Sequence, residues 1–244
     1  MSNKRYFESD VFIEPENVRS SNAVIIDCRF ALSDPDLGRR LYEAGHIPGA
    51  FYLDLENDLS GVIDAHGGRH PLPDPKTFSL TLLKRGIESS TEVIVYDDSR
   101  LAFASRFWWM MKSIGYRPPK ILNGGYQGWL NQQYDFDKNN PDFHSGLIDD
   151  VDIEFSGVCD INSLRAMEFE NFSLIDSREE VRYLGLEEPI DRVAGHIPGA
   201  INRLWTEVTD SHGRVLLEEH QRARWSDVLR SDQIVVYCGS GVTA

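Results

Sequence analysis

The heptapeptide AGHIPGA occurs twice in this chain, at residues 44–50 and again, letter for letter, at 194–200. Each copy has the same surroundings. Upstream lies a short apolar run closing on an Asp-x-Arg turn, VIIDCR at 24–29 and SLIDSR at 173–178. Downstream, EVIVYDDS at 92–99 answers QIVVYCGS at 233–240. A series repeated in one order implies two similar units, each burying its own faces in the same way. The chain of 244 residues is 41% hydrophobic, which allows two cores of about 100–120 residues each. We expect a first unit over 8–135 and a second over 158–244. The join, 136–157, is polar, carries Pro141 and lacks helical periodicity.

Within the first unit, strands alternate with helices. VIIDC and EVIVYD are short β-branched runs bounded by polar residues, as buried parallel strands are. PKTFSLTLLKRG (75–86) sets Phe78, Leu82 and Leu83 on one face and stops at Gly86, which predicts a helix. ASRFWWMMKSIG (104–115), closed by Gly115, predicts another, with Trp108, Trp109, Met110 and Met111 as packing residues. KILNGG reads as a further strand entering a turn. The pattern is that of an α/β chain, each unit a central parallel sheet flanked by helices. Ligands of such sheets sit at the carboxyl ends of strands, where Asp97 and Cys238 both fall. The duplicated Asp27–Arg29 and Asp176–Arg178 pairs are expected to fix the strand-to-loop turns.

Charge and cysteine usage narrow the function. The formal net charge is −14, from 39 acidic and 25 basic residues, the wrong sign for a nucleic-acid binder that must neutralise phosphates. The N-terminus shows no apolar signal core, and no run is long enough to span a bilayer. Three cysteines, Cys28, Cys159 and Cys238, form no CxxC pair. They suggest neither a disulfide framework nor a zinc site, and a reducing cytoplasm fits them. No metal is expected.

Cys238 differs from the other two in the loop attached to it. A thiol reacts as its thiolate, and a free cysteine titrates near pH 8.5. In the loop Gly239, Ser240, Gly241, Val242, Thr243, two glycines let successive amides turn toward one centre, an anion-binding nest. Ser240 and Thr243 add hydroxyl donors. Such a cradle suits a thiolate or a persulfide. Cys28 and Cys159 have no such loop and are expected to fill space as small hydrophobes. A cysteine phosphatase would need Cys-x5-Arg to grip phosphate. The sixth residue after Cys238 is Ala244.

Tandem D-x-R…GHIPGA units, with Asp in the first loop and Cys in the second, resemble the two-domain rhodanese-type sulfurtransferases from about Val24 to Ala244. The CGSGVTA loop looks like that of the 3-mercaptopyruvate sulfurtransferases within that family. The resemblance implies two tandem rhodanese-like domains, the second catalytic. It implies a Cys238 persulfide filled from 3-mercaptopyruvate or thiosulfate and emptied by cyanide, a thiol or thioredoxin. No cofactor, nucleic acid or membrane is implied. Ser240 would assist the proton at the departing carbon, with His46 and Asp36 as a relay, although His46 recurs as His196 and so also reads as part of the GHIPGA turn. Arg182 matches one arginine that holds the donor's carboxylate in mercaptopyruvate enzymes. Arg192, in EEPIDRVAG, is a displaced candidate for the second. A salt bridge to Glu187 or Glu188 is the competing use for either. GRHPLP (68–73) offers Arg69 and His70 as neighbours of the cleft at most, with no role assigned.

The two units differ in length. The first runs on for 34 residues from Asp97 to Asn131, whereas six follow Cys238. By internal comparison we expect a helix and a strand of the second unit to be absent, with weak or no turnover for the 244-residue chain, and a catalytically idle sulfur-binding or interaction module as the alternative reading.

Overall fold

The computed structural model describes residues 11–143, 153–168, 172–228, 231 and 233–244. Residues 8–10 of the expected first unit and 144–152 of the expected join lie outside the described residues. The first module contains, in order, β1 (Phe12–Ile13), α1 (Pro15–Val18), β2 (Val24–Asp27), α2 (Leu37–Ala44), β3 (Phe51–Tyr52), α3 (Pro75–Leu83), β4 (Val93–Tyr96), α4 (Ala102–Ser113), β5 (Lys120–Leu122) and α5 (Gly125–Asn131). Its five parallel strands lie in the order β1-β5-β4-β2-β3. The second has α6 (Ile161–Ala166), β6 (Phe172–Asp176), α7 (Glu180–Tyr183), β7 (Ile201–Asn202), a 3-10 turn (Trp205–Val208), α8 (Glu218–Trp225) and β8 (Gln233–Tyr237). Its parallel strands lie in the order β7-β6-β8. That order repeats β3-β2-β4 of the first sheet.

The repeated motif is one hydrogen-bonded assembly built twice. In the first module Arg29 Nη2 donates to Asp27 Oδ2 (2.7 Å) and to the carbonyl of Gly45 (2.7 Å). Tyr96 OH, at the end of β4, donates to the same carboxylate (2.7 Å) and accepts from Ile47 N (3.2 Å). In the second, Arg178 Nη2 bonds Asp176 Oδ2 (2.7 Å) and Gly195 O (2.6 Å), and Tyr237 OH accepts from Ile197 N (3.1 Å). The Asp–Arg pairs close the strand-to-loop turns as expected, Arg29 N and Arg178 N each donating to the aspartate two residues before, and they also clamp the GHIPG turn to the ends of two strands. Both aspartates are fully buried. Removing one partner of such a pair costs about 3–5 kcal/mol, because the other charge is left uncompensated.

The helix over 104–115 runs instead from Ala102 to Ser113. Its start is shifted because Leu101 has φ 74° and because the Asp97 carboxylate, not a residue at the cap position, takes the free amides of Phe103 and Ala104. Met110 and Met111 are buried in the first core with Phe78, Leu82 and Phe107. Side chains of this size contribute roughly 1.5–3 kcal/mol each on burial. The core of the second module is small, centred on Phe172, Leu174 and Ala200. Cys159 is exposed and not core filler: it stands just ahead of α6, whose residues include no buried side chain. No helix among the described residues is long and apolar enough to cross a membrane.

Candidate active site

Cys238 directly follows β8, as Asp97 follows β4. The first loop shows what this turn does with an anion. Asp97 is buried, and its carboxylate accepts four backbone amides: Ser99 and Leu101 on Oδ1 (2.9 and 3.1 Å), Phe103 and Ala104 on Oδ2 (both 2.9 Å). Burial pushes the pKa of Asp97 up, and the four amides oppose that rise. In the second loop, Cys238 is half-buried and Gly241 N donates to its Sγ at 3.1 Å. Gly241 (φ 86°) stands where Arg100 (φ 56°) stands in the first loop. A left-handed backbone at this point turns the following amides inward.

The first module holds this loop from the other side. The amide of His70 donates to the carbonyl of Ser240 (3.0 Å). Arg106, buried on α4, gives Nη1 to the carbonyl of Gly241 (2.7 Å) and Nη2 to the carbonyls of Leu59 (2.7 Å) and Pro71 (3.2 Å). Burial pulls its pKa down to about 10, against the opposing effect of Cys238, so it is a cation at neutral pH. Val242 is buried within the first module's core. Gly68 (φ 76°) passes so close that a β-carbon there would lie 2.8 Å from the carbonyl oxygen of Ser240.

The expected residues fall into two groups. Cys238, Gly239, Ser240, Gly241, Val242 and Thr243 form the loop itself, with Ser240 buried. Arg182 comes to its rim, where a β-carbon on Gly239 would lie 3.2 Å from Arg182 Nη2. Its guanidinium is held by Glu188, from Nε (3.1 Å) and Nη2 (2.9 Å), and by Asp191, from Nη2 (2.7 Å). Arg192 is exposed on the following turn. His46 is buried, stacks on Tyr42 at 3.8 Å and donates Nδ1–H to the carbonyl of Tyr42 (2.8 Å); His196 repeats this with Tyr183 (3.7 and 2.7 Å). Asp36 is exposed ahead of α2. Among the described residues, neither His46 nor Asp36 has a hydrogen bond to the Cys238 loop.

Three residues given no site role from sequence stand here instead: Arg69, His70 and Arg106. Nε2 of His70 lies 3.9 Å from Glu56 Oε1, and its Nδ1 is buried without a hydrogen-bond partner. Glu56 is presented by a turn wound on Asp54, whose Oδ1 accepts the amides of Glu56 (3.0 Å) and Asn57 (2.9 Å). Burial, and then the charges of Arg106 and Arg69, push the pKa of His70 below the ordinary histidine value. The only sequence signal for this histidine was its place in GRHPLP.

The family model for the rhodanese-like domain matches residues 15–132 and 162–244. The chain belongs to the rhodanese-like family. It is 40% identical over 233 residues to a probable 3-mercaptopyruvate sulfurtransferase of Pseudomonas aeruginosa, an alignment covering 91% of this chain and 80% of that one. A Mycobacterium tuberculosis protein bearing the name of a thiosulfate sulfurtransferase is 35% identical over 226 residues, 90% of this chain and 78% of the relative. Among solved rhodanese folds, the 3-mercaptopyruvate enzyme of Escherichia coli superposes with a TM-score of 0.80 at 30% identity, covering 96% of this chain and 90% of that one. The Leishmania major 3-mercaptopyruvate sulfurtransferase gives a TM-score of 0.80 at 28% identity, covering 96% of this chain and 66% of that one. The tandem rhodanese-like organisation expected from the duplicated motif is therefore the organisation of the molecule.

Proposed function

We propose that the protein is a sulfurtransferase that takes sulfur from 3-mercaptopyruvate and carries it on Cys238 as a persulfide. The observation that carries this reading is the placement of Cys238 in a loop of the kind that holds the Asp97 carboxylate with four amides, with Gly241 N already on Sγ. In the first half-reaction the Cys238 thiolate attacks the donor's sulfur. The S–S bond forms and the donor's C–S bond breaks. The electron pair goes to the departing carbon, which takes up the donor's thiol proton to become pyruvate. The main-chain bond from His70 N to Ser240 O brings His70 to the loop, and the depressed pKa of its imidazole keeps it neutral and able to take up that proton. The carboxylate of Glu56 faces the ring from 3.9 Å, beyond direct hydrogen-bond distance. His70, with Glu56 beside it, is our candidate for the relay place that the resemblance offered to His46 and Asp36. In the second half-reaction cyanide, a thiol or reduced thioredoxin attacks the outer sulfur and restores the thiolate.

Arg69 and Arg182 at the loop rim are the cations that suit a carboxylate-bearing donor. The family relationship to 3-mercaptopyruvate enzymes supports that donor over thiosulfate. Free thiols at all three cysteines support a reducing, cytoplasmic setting. Steady-state assays with each donor and cyanide, on the protein and on Cys238→Ser, test the reading. Whatever thiocyanate the protein forms from 3-mercaptopyruvate is expected to disappear in Cys238→Ser. Full activity in that variant would refute it.

A further inference from the structure

The segment that joins α7 to the second GHIPGA turn, residues 186–193, supplies none of the groups to which the reaction steps above are given. It nevertheless reaches the reactive loop. The carboxylate of Asp191 is clasped between two guanidiniums from different modules: Oδ2 accepts from Arg182 Nη2 at 2.7 Å, and Oδ1 accepts from Arg69 Nη1. All three groups converge on the residue after the nucleophile. A β-carbon on Gly239 would lie 3.0 Å from Asp191 Oδ2, 3.1 Å from Arg69 Nη2 and 3.2 Å from Arg182 Nη2.

The charge at this point is already balanced. Glu188 takes Nε and Nη2 of Arg182 and also Nη1 of Arg178, so each guanidinium here already faces a carboxylate. The two acids differ in how firmly they are held. The Glu188 side chain is 4% exposed and accepts the amides of Ile190 and Asp191. It is a fixed part that orients Arg182. The Asp191 side chain is 30% exposed, accepts N–H groups from the two arginines, and sits in a segment whose Leu186, Ile190, Arg192 and Val193 are all exposed. Asp191 is the partner that can leave.

We propose that Asp191 occupies the place of the donor's own carboxylate, as a built-in competitor that sets how tightly carboxylate-bearing donors bind. The inference rests on the sulfurtransferase reading for its donor. A planar carboxylate offers a guanidinium pair the same two oxygens whether it belongs to Asp191 or to an α-keto acid. An incoming donor must therefore displace Asp191, and its apparent affinity is reduced by the fraction of molecules in which the arginines are free. Glu188 keeps Arg182 aimed while the exchange takes place. Donors without a carboxylate bypass the exchange only if they do not draw on the same arginines.

Asp191→Asn keeps the shape of the side chain and removes its charge, and Asp191→Ala removes both. Two measurements test the idea. Calorimetric binding of pyruvate, a simple α-keto carboxylate, should tighten about tenfold in each variant. The KM for 3-mercaptopyruvate should fall by a similar factor, with the gain in kcat/KM carried by KM. Unchanged or weaker pyruvate binding in both variants would overturn the proposal and make Asp191 a clamp that merely steadies the two arginines. Pyruvate binding is read without turnover, so it decides the point by itself. Absence of sulfur transfer from 3-mercaptopyruvate in wild type and variants alike would count instead against the sulfurtransferase reading.

Discussion

At the scale of single residues, three thiols of one chain have three different surroundings. Cys28 is buried behind β2, where burial and then the charges of Asp27 and Asp97 raise its pKa well above the ordinary value. It stays a protonated thiol at neutral pH, and thiolate is the reactive form. Brief alkylation of the native protein at neutral pH should therefore label Cys159 and Cys238 and spare Cys28, as read by peptide mass. Labelling of Cys28 at a comparable rate would contradict its burial. Gly68 supplies a second test. A side chain there must adopt φ 76° and meet the carbonyl of Ser240 at 2.8 Å, whereas Gly49 has a similar φ of 77° but open space. Both alanine variants carry the backbone cost of about 1–2 kcal/mol. Only Gly68→Ala should displace the Cys238 loop, with a loss in kcat/KM of about tenfold or more. Equal activity of the two variants would show that the close approach is not needed. The loop position of Cys238 and Ser240 at the end of a strand was legible in the sequence because QIVVYCGS has a matched copy in EVIVYDDS. His70 was not, because its contact with Ser240 joins residues far apart in sequence and GRHPLP has no second copy to compare.

At the scale of elements, the strand-loop-helix unit is read most easily where it is repeated. The β2, β4, β6 and β8 strands and both GHIPG turns followed from matched segments, because one buried Asp–Arg–Tyr network needs the same residues at the same spacing. The start of α4 was misplaced by two residues because its amides are capped by Asp97, a residue outside the helix. The tether that α4 provides was not legible either. Arg106 lies in a run of aromatic and sulfur-containing residues, yet it serves three backbone carbonyls from two loops and a third segment. Arg106→Met leaves those carbonyls without their donor, at a cost of about 3 kcal/mol or more. A lower melting temperature and a slackened Cys238 loop with reduced kcat are expected. Arg106→Lys should rescue little, since a single ammonium does not reproduce the planar fork. Melting curves and turnover at wild-type level in Arg106→Met would contradict this role.

At the scale of the whole molecule, the site exists only where two modules meet, and their contacts use residues that the duplication does not repeat. Arg100 donates to the carbonyls of Thr206 (2.5 Å) and Thr209 (2.9 Å), Arg214 pairs with Glu14 (2.6 Å), and Val215 N donates to Asn123 Oδ1 (2.9 Å). The duplication therefore foretold two modules but not the face by which they join. His70 links that face to pH. It is set among Glu56, Arg69 and Arg106, and its folded pKa lies below its unfolded value. Its contribution to stability is full above the ordinary histidine pKa of about 6.5 and is lost as the pH falls from there through the folded value. Acidification from about pH 7 to about pH 5 should accordingly lower the melting temperature more in wild type than in His70→Gln. Parallel curves would contradict the depressed pKa. The central claim, that Cys238 carries the transferred sulfur, is tested most directly by peptide mass after treatment with 3-mercaptopyruvate in the absence of an acceptor. The expected result is a gain of about 32 Da, one sulfur atom, on the Cys238 peptide, removed by cyanide and absent from Cys238→Ser. No gain on that peptide, or the same gain on Cys28 or Cys159 instead, would contradict it.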